Sequence, residues 1–269
     1  MNERLPTPYP ELNSVLKDLV GGIQEILSTD FIGAYLQGSF AVGNFDTHSD
    51  VDFVIVTEKE PSDPQVNSLQ TLHERIYNLE SYWAQHLEGS YFPKDILRDY
   101  TKRGEKLWYL DNGSRFLIKS DHCNTRIVRW VLRENGIALA GRSIDALINP
   151  VPVEMLRTSI FETITEWGQE ILTHPEKYNN RFYQTYIALS YCRMYHDLQM
   201  GFPGSKRAGA DWAKSNLNPT WNDLIDKTWA GRPTPEISVR QPADPKDYER
   251  TIEFVRYIIN KSKQYMASK

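Results

Sequence analysis

Two acids two residues apart, Asp50 and Asp52, open the apolar run Phe53-Val54-Ile55-Val56. Side chains alternate faces along a strand, so both carboxylates point the same way. Like charges so placed raise each other's proton affinity, and a bound divalent cation removes that cost. Oxygen ligands that also engage substrate phosphates suit Mg2+. Two such ions about 4 Å apart activate an attacking oxygen and stabilise a leaving one. Taken alone, an Asp-x-Asp pair before a strand is more often a solvated strand entry with an Asx turn.

A second feature shifts that balance. Residues 31–37, FIGAYLQ, read as a short strand, and Gly38-Ser39 follow it. Glycine accepts positive φ and close approach to its backbone. Ser39 adds a hydroxyl and a backbone N–H at the same bend, donors suited to a phosphate oxygen. A lone Gly-Ser is usually a turn. The turn and the acid pair together, joined by residues 40–49 between two apolar strands, point to phosphate chemistry.

The segment GSFAVGNFDTHSDVDFVIV, residues 38–56, resembles the signature of the nucleotidyltransferase superfamily, Gly-Ser followed by Asp-x-Asp/Glu. The segments LEGSY at 87–91, the region of Gly141 and SKRAGADWA at 205–213 are similar to aminoglycoside adenylyltransferases with a helical C-terminal domain. The likeness spans most of the chain. It implies that Asp50, Asp52 and Glu88 hold Mg2+ and are catalytic, Glu88 being the third carboxylate and the base that deprotonates a substrate hydroxyl. It also implies nucleotide binding by Gly38, Ser39, Ser49, Lys206 and Trp229. Without the resemblance, Glu88 reads as an edge-strand acid in solvent, Lys206 as a surface lysine and Trp229 as a packing residue. Arg193, Asp211 and Trp212 match family positions as well and read as a structural ion pair and a packing residue. One stretch departs from the family. Streptomycin- and spectinomycin-modifying relatives carry acids at the start of the helix that holds Arg193, whereas residues 179–184 here are NNRFYQ.

These acids and donors need a scaffold. Residues 10–28 show helical spacing through Leu12, Leu16, Leu19, Ile23 and Ile26, with Gly21-Gly22 weakening the middle. Residues 57–65 read as a polar break, and Val66 to Trp83 as the next helix, its apolar positions taken by core packing. Residues 87–92 read as a strand ended by Pro93. Asp111-Asn112-Gly113 between apolar runs is a hairpin signal. Residues 122–135 read as a helix stopped by Gly136, and 137–141 as a strand. His122-Cys123 has no second pair at zinc-ligand spacing. The strand–helix–strand order predicts a mixed α/β sheet with flanking helices, and the resemblance implies that it is of the five-stranded nucleotidyltransferase type.

Residues 145–153, with Pro150 and Pro152, read as a join, so the expected domains are 1–150, catalytic, and 151–269, a covering unit for nucleotide and substrate. The second half reads as an all-α bundle: helices through Met155 to Ile171, Tyr183 to Leu198, a third capped by Ser205, a short fourth at 221–229, a proline-rich loop at 232–245 and a last helix at 247–263.

Composition bounds the partners. The chain has 269 residues and a formal net charge of −4, a poor balance for gripping nucleic acid through its phosphates. Two cysteines, Cys123 and Cys192, suit a reduced chain. The first residues lack the apolar core of a signal peptide, and no run is long enough to cross a membrane. A cytoplasmic monomer is expected. The expected reaction is Mg2+-dependent transfer of AMP from ATP to a hydroxyl of a small molecule, an aminoglycoside-type antibiotic, with release of pyrophosphate. The alternatives are another metabolite or a protein hydroxyl as acceptor, and a non-catalytic nucleotide-binding module.

Overall fold

The computed structural model describes residues 5–46, 49–232 and 238–269. The chain divides into two compact units, Met1–Val151 and Pro152–Lys269.

The first unit is built on one mixed sheet. Its strands are β1 (Phe31–Leu36), β2 (Val51–Thr57), β3 (Leu87–Pro93), β4 (Leu107–Leu110), β5 (Leu117–Ser120) and β6 (Ile137–Gly141), in the spatial order β5-β4-β3-β2-β1-β6. That is six strands rather than five, because β6 returns to pair antiparallel with β1 while the β4–β5 hairpin extends the other side. β2 and β3 are parallel, and a parallel pair needs a crossover. Helix α3 (Asp63–Tyr77) provides it. It starts earlier than its apolar spacing suggests, because Ser62 and Gln65 form a capping box and Pro64 fits the first turn. It also ends at Tyr77, so Trp83 lies in a separate short turn.

Both faces of the sheet are covered. Helix α1 (Pro10–Leu27) and α3 cover one, burying Leu12, Leu16, Leu19, Ile23, Leu69 and Leu72 against Val51, Phe53 and Ile55. Gly22 has a reason here: a Cβ would stand 2.6 Å from the Leu72 side chain, so glycine lets the two helices approach. Nothing in the structure explains Gly21. The opposite face carries Val54, Val56, Phe92, Tyr109 and Cys123, packed with Leu97 of α4 (Lys94–Arg98) and Leu132 of α5 (Arg126–Asn135). The short α2 (Gly38–Ala41) follows β1. Arg129 of α5 is fully buried. Its guanidinium donates to the carbonyls of Ile96 (2.7 Å), Leu97 (3.1 Å) and Thr125 (3.0 Å), and burial pushes its pKa down to about 10. Thr125 caps α5, which therefore begins after His122 and not at it.

The second unit is helical: α6 (Val153–Thr173), α7 (Arg181–Met200), α8 (Lys206–Asn216), α9 (Asn222–Ala230) and α10 (Pro245–Ala267). α7 is buried on several sides, through Ile187, Leu189, Tyr191, Cys192, Met194 and Leu198, as expected for the central member of a bundle. Ser205 caps α8 by accepting from the Ala208 N–H at 3.0 Å. The proline-rich loop read at 232–245 falls partly on residues 233–237, outside the described residues. Both cysteines are buried and unpaired. Among the described residues no helix is long and apolar enough to cross a membrane.

Candidate active site

Asp52 stands second in β2 and Glu88 second in β3, and the parallel register sets them directly side by side. Both lie on the sheet face that carries Val54 and Phe92. β3 is an interior strand, so Glu88 is no edge residue, and its side chain is only 13% exposed. Burial raises its pKa, the Tyr109 hydrogen bond lowers it, and the charge of Asp50 raises it again. Asp50, just ahead of β2, is thus within electrostatic reach of Glu88.

The Gly-Ser turn meets the same carboxylates. Gln37 donates its N–H to the Asp52 carbonyl at 2.9 Å. Gly38 follows with φ +61, and a Cβ there would stand 1.8 Å from Asp52 Oδ2. Only a residue without a side chain lets this turn lie against that carboxylate. The Ser39 Oγ is buried and, among the described residues, has no hydrogen-bond partner. A buried hydroxyl left so is uncommon and suits a ligand oxygen. The Ser49 Oγ accepts from the Asp46 N–H at 2.9 Å and lies 3.4 Å from Asp46 Oδ1.

Among the described residues, no group of three or more His, Cys, Asp and Glu side chains is gathered so as to hold a metal ion. The structure therefore brings Asp50, Asp52 and Glu88 to one end of two neighbouring strands without closing them into a ligand set. Tyr109, on β4, reaches Glu88 Oε1 at 2.7 Å and Asp111 Oδ1 at 2.9 Å with its hydroxyl. A phenol has one proton, so it serves one carboxylate at a time. Burial, followed by the Glu88 charge, pushes the Tyr109 pKa far up and keeps the phenol protonated. His122 Nε2 lies 3.5 Å from Glu88 Oε1, and its ring is 5.4 Å from that of Tyr109. Cys123 sits beneath, where burial first and the Glu88 charge second raise the thiol pKa.

The sequence alone does not assign Tyr109, Asp111 or His122 to this site. Asp111 looked like a turn residue and His122 like half of a missing zinc site. The usable signal was the hairpin itself. Antiparallel pairing sets Tyr109 opposite Ser90, on the face that Glu88 shares.

Lys206 and Trp229 belong to the helical unit. Lys206 occupies the first turn of α8, its Nζ 5.0 Å from the centre of the Tyr186 ring. The half-buried Trp229 has the guanidinium of Arg207 at 4.9 Å and that of Arg232 at 4.5 Å from its ring centre. Asp211 pairs with Arg207 at 2.8 Å, one helical turn away, so the ion pair expected near Arg193 uses another arginine. Trp212 packs edge-on against Tyr195 and His196. In the stretch 179–184, Asn180 caps α7 by accepting from the Tyr183 N–H at 2.9 Å, and the Gln184 side chain accepts from the Asp244 N–H at 3.1 Å.

Residues 20–106 match the nucleotidyltransferase domain model, and residues 146–260 match that of the aminoglycoside adenylyltransferase C-terminal domain. An aminoglycoside (3'') (9) adenylyltransferase from Shigella flexneri is 21% identical over 257 residues, covering 92% of this chain and 94% of the relative. A protein of the same name from Escherichia coli is 22% identical over 224 residues, 80% of this chain and 82% of the relative. Among solved structures, a spectinomycin adenyltransferase from Enterococcus faecialis, determined with ATP and spectinomycin, superposes with a TM-score of 0.67 at 13% identity, over 93% of this chain and 98% of its own. The chain is thus a nucleotidyltransferase, its Gly-Ser turn, Asp pair and Glu88 all within the first match. The second match and the curated relatives narrow the class: it belongs to the aminoglycoside adenylyltransferase-like family with a helical C-terminal domain.

Proposed function

We propose that this enzyme transfers AMP from ATP to a hydroxyl of an aminoglycoside-type antibiotic and releases pyrophosphate. The observation that carries the reading is the parallel register that sets Glu88 beside Asp52, against a turn whose serine hydroxyl has no partner among the described residues. Carboxylate oxygens are the donors that hard divalent cations take. Asp50, Asp52 and Glu88 would hold Mg2+, which when bound would neutralise phosphate charge and polarise the α-phosphate. The Gly38 backbone and the Ser39 hydroxyl bind phosphate oxygens. Glu88, with its raised proton affinity, takes the proton of the acceptor hydroxyl. The hydroxyl oxygen bonds to the α-phosphorus as the bond from that phosphorus to the bridging oxygen breaks, and pyrophosphate leaves with the electron pair. On this reading Lys206 binds phosphate oxygens and Trp229 stacks on the base. The cysteines, the charge balance and the family suit a cytoplasmic monomer without nucleic acid as partner.

Glu88→Gln tests this. The variant keeps MgATP binding and loses turnover by about 10²–10⁴-fold, the usual contribution of a positioned base. Turnover at the wild-type rate removes Glu88 from the mechanism.

A second reading keeps the chemistry and changes the acceptor. It is favoured by residues 179–184, which carry no carboxylate and in which Asn180 and Gln184 are engaged with the backbone. A panel of hydroxyl-bearing metabolites, antibiotics and proteins, with labelled ATP, separates the two. Label transferred only to a neutral acceptor favours the second.

A further inference from the structure

At the far end of the sheet from Asp52 and Glu88 the first unit holds a cleft of about 370 Å³. That lies at the lower end of the range of small-molecule sites, about 300–1,000 Å³. Asp52 is the second residue of β2, and the cleft begins at Glu58, just past the end of that strand. At the usual rise per residue the two are roughly 20 Å apart.

The cleft has three cations and one acid. Lys94 is ion-paired with Glu58. This leaves Arg98, at the end of α4, and Arg142, just after β6, both exposed. Neither side chain has a carboxylate partner among the described residues. Arg98 and Arg142 enter the folding scheme through their backbones instead: Asn149 donates its N–H to the Arg98 carbonyl at 3.0 Å, and the Tyr35 hydroxyl donates to the Arg142 carbonyl at 2.7 Å. Their backbones are thus held at positions from which both residues line the cleft. Phe31 and Ile32, at the start of β1, give it an apolar wall.

We propose that this cleft is a second anion site, separate from the carboxylate cluster, that takes a small organic phosphate monoester. Two unmatched positive charges call for a dianion. Guanidinium forks pair with phosphate and carboxylate oxygens alike, but forks from two different elements suit a tetrahedral group, whose oxygens point out of any one plane. The apolar wall favours an organic body over the bare ion.

The probe is phenyl phosphate, titrated into the full-length protein without ATP or Mg2+ and followed by calorimetry and by amide shifts. In wild type the amide shifts centre on Ile32, Arg98 and Arg142 and spare Gly38 and Ser39; shifts confined to Gly38 and Ser39 overturn the proposal. The double variant Arg98→Ala/Arg142→Ala binds it at least about tenfold more weakly, the loss expected for charge-assisted hydrogen bonds. Inorganic phosphate binds wild type more weakly than phenyl phosphate does. Arg98→Lys/Arg142→Lys, which keeps the charge without the fork, falls between. Equal binding by the double alanine variant overturns the proposal, as does no saturable binding by wild type at millimolar phenyl phosphate. Phosphate binding as tight as that of phenyl phosphate overturns the organic ligand. The readout is binding without turnover, so it stands or falls independently of the adenylyl-transfer reading.

Discussion

Gly38→Ala is the most direct test of how the Gly-Ser turn and Asp52 depend on each other. The alanine adds two separable costs. The backbone sits at φ +61, a conformation that costs an L-residue about 1–2 kcal/mol. The new Cβ would also stand 1.8 Å from Asp52 Oδ2, 2.6 Å from its Cγ and 3.0 Å from its Cβ. The carboxylate must rotate away, at about 0.5–1.5 kcal/mol for a displaced rotamer. The expected loss of stability is therefore about 1.5–3.5 kcal/mol. Activity falls further, since a carboxylate moved by about 1 Å costs on the order of 10²-fold in rate. Denaturant unfolding of wild type, Gly38→Ala, Asp52→Ala and the double variant separates the two costs. Asp52→Ala removes the Cγ and oxygens, so in that background Gly38→Ala should cost only the backbone part, with a coupling of about 1 kcal/mol between the sites. An identical cost in both backgrounds refutes the contact, and wild-type kcat in Gly38→Ala refutes its role in positioning Asp52.

Further outcomes follow from the same coordinates. His73 is buried with its Nε2 2.7 Å from the Tyr91 hydroxyl, and burial lowers its pKa from 6.5 to about 4. Between those values the unfolded chain holds a proton that the fold rejects, so this contribution is full above pH 6.5 and falls by roughly 3 kcal/mol by pH 4. Unfolding midpoints measured from pH 7 to 4 should drop more steeply in wild type than in His73→Gln; parallel slopes would refute the assignment. Tyr109→Phe removes a hydrogen bond that lowers the Glu88 pKa, so the acid limb of kcat/KM should move to higher pH while Tm changes little. Arg129→Leu strips the carbonyls of Ile96 and Leu97 of the guanidinium donor, while Thr125 keeps the backbone N–H of residue 129, and should destabilise by several kcal/mol, at about 1–3 for each carbonyl that stays dry. Lys206→Ala should raise KM for ATP more than it lowers kcat, and an unchanged KM removes Lys206 from the nucleotide site.

What could be read in the chain follows the range of the interactions involved. Apolar spacing located β1, β2, β3 and α1 because each buries a face whose period is written locally, as in Leu12, Leu16, Leu19 and Ile23. Ser205 and Gly136 marked helix ends because caps act over three or four residues. The fate of Glu88 was not local. Whether it faced solvent or Asp52 depended on β3 being an interior strand in parallel register with β2, and only the resemblance supplied that. The Tyr109 hydroxyl and His122 reach Glu88 across the sheet, from residues 21 and 34 positions further along, and no spacing rule announces such pairs. Ile137 to Gly141 reads as a strand from its own residues, but that it pairs with β1, a hundred residues upstream, is not written locally.

The two buried thiols have a practical use. Cys123 lies beneath the carboxylates of the first unit and Cys192 inside the central helix of the second, and burial raises both pKa values. A thiolate-seeking reagent reaches either sulfur only when its own unit breathes open. Each half of the chain thus carries a built-in gauge of its opening rate, and labelling the two sulfurs separately, with and without MgATP, would reveal which half the nucleotide tightens.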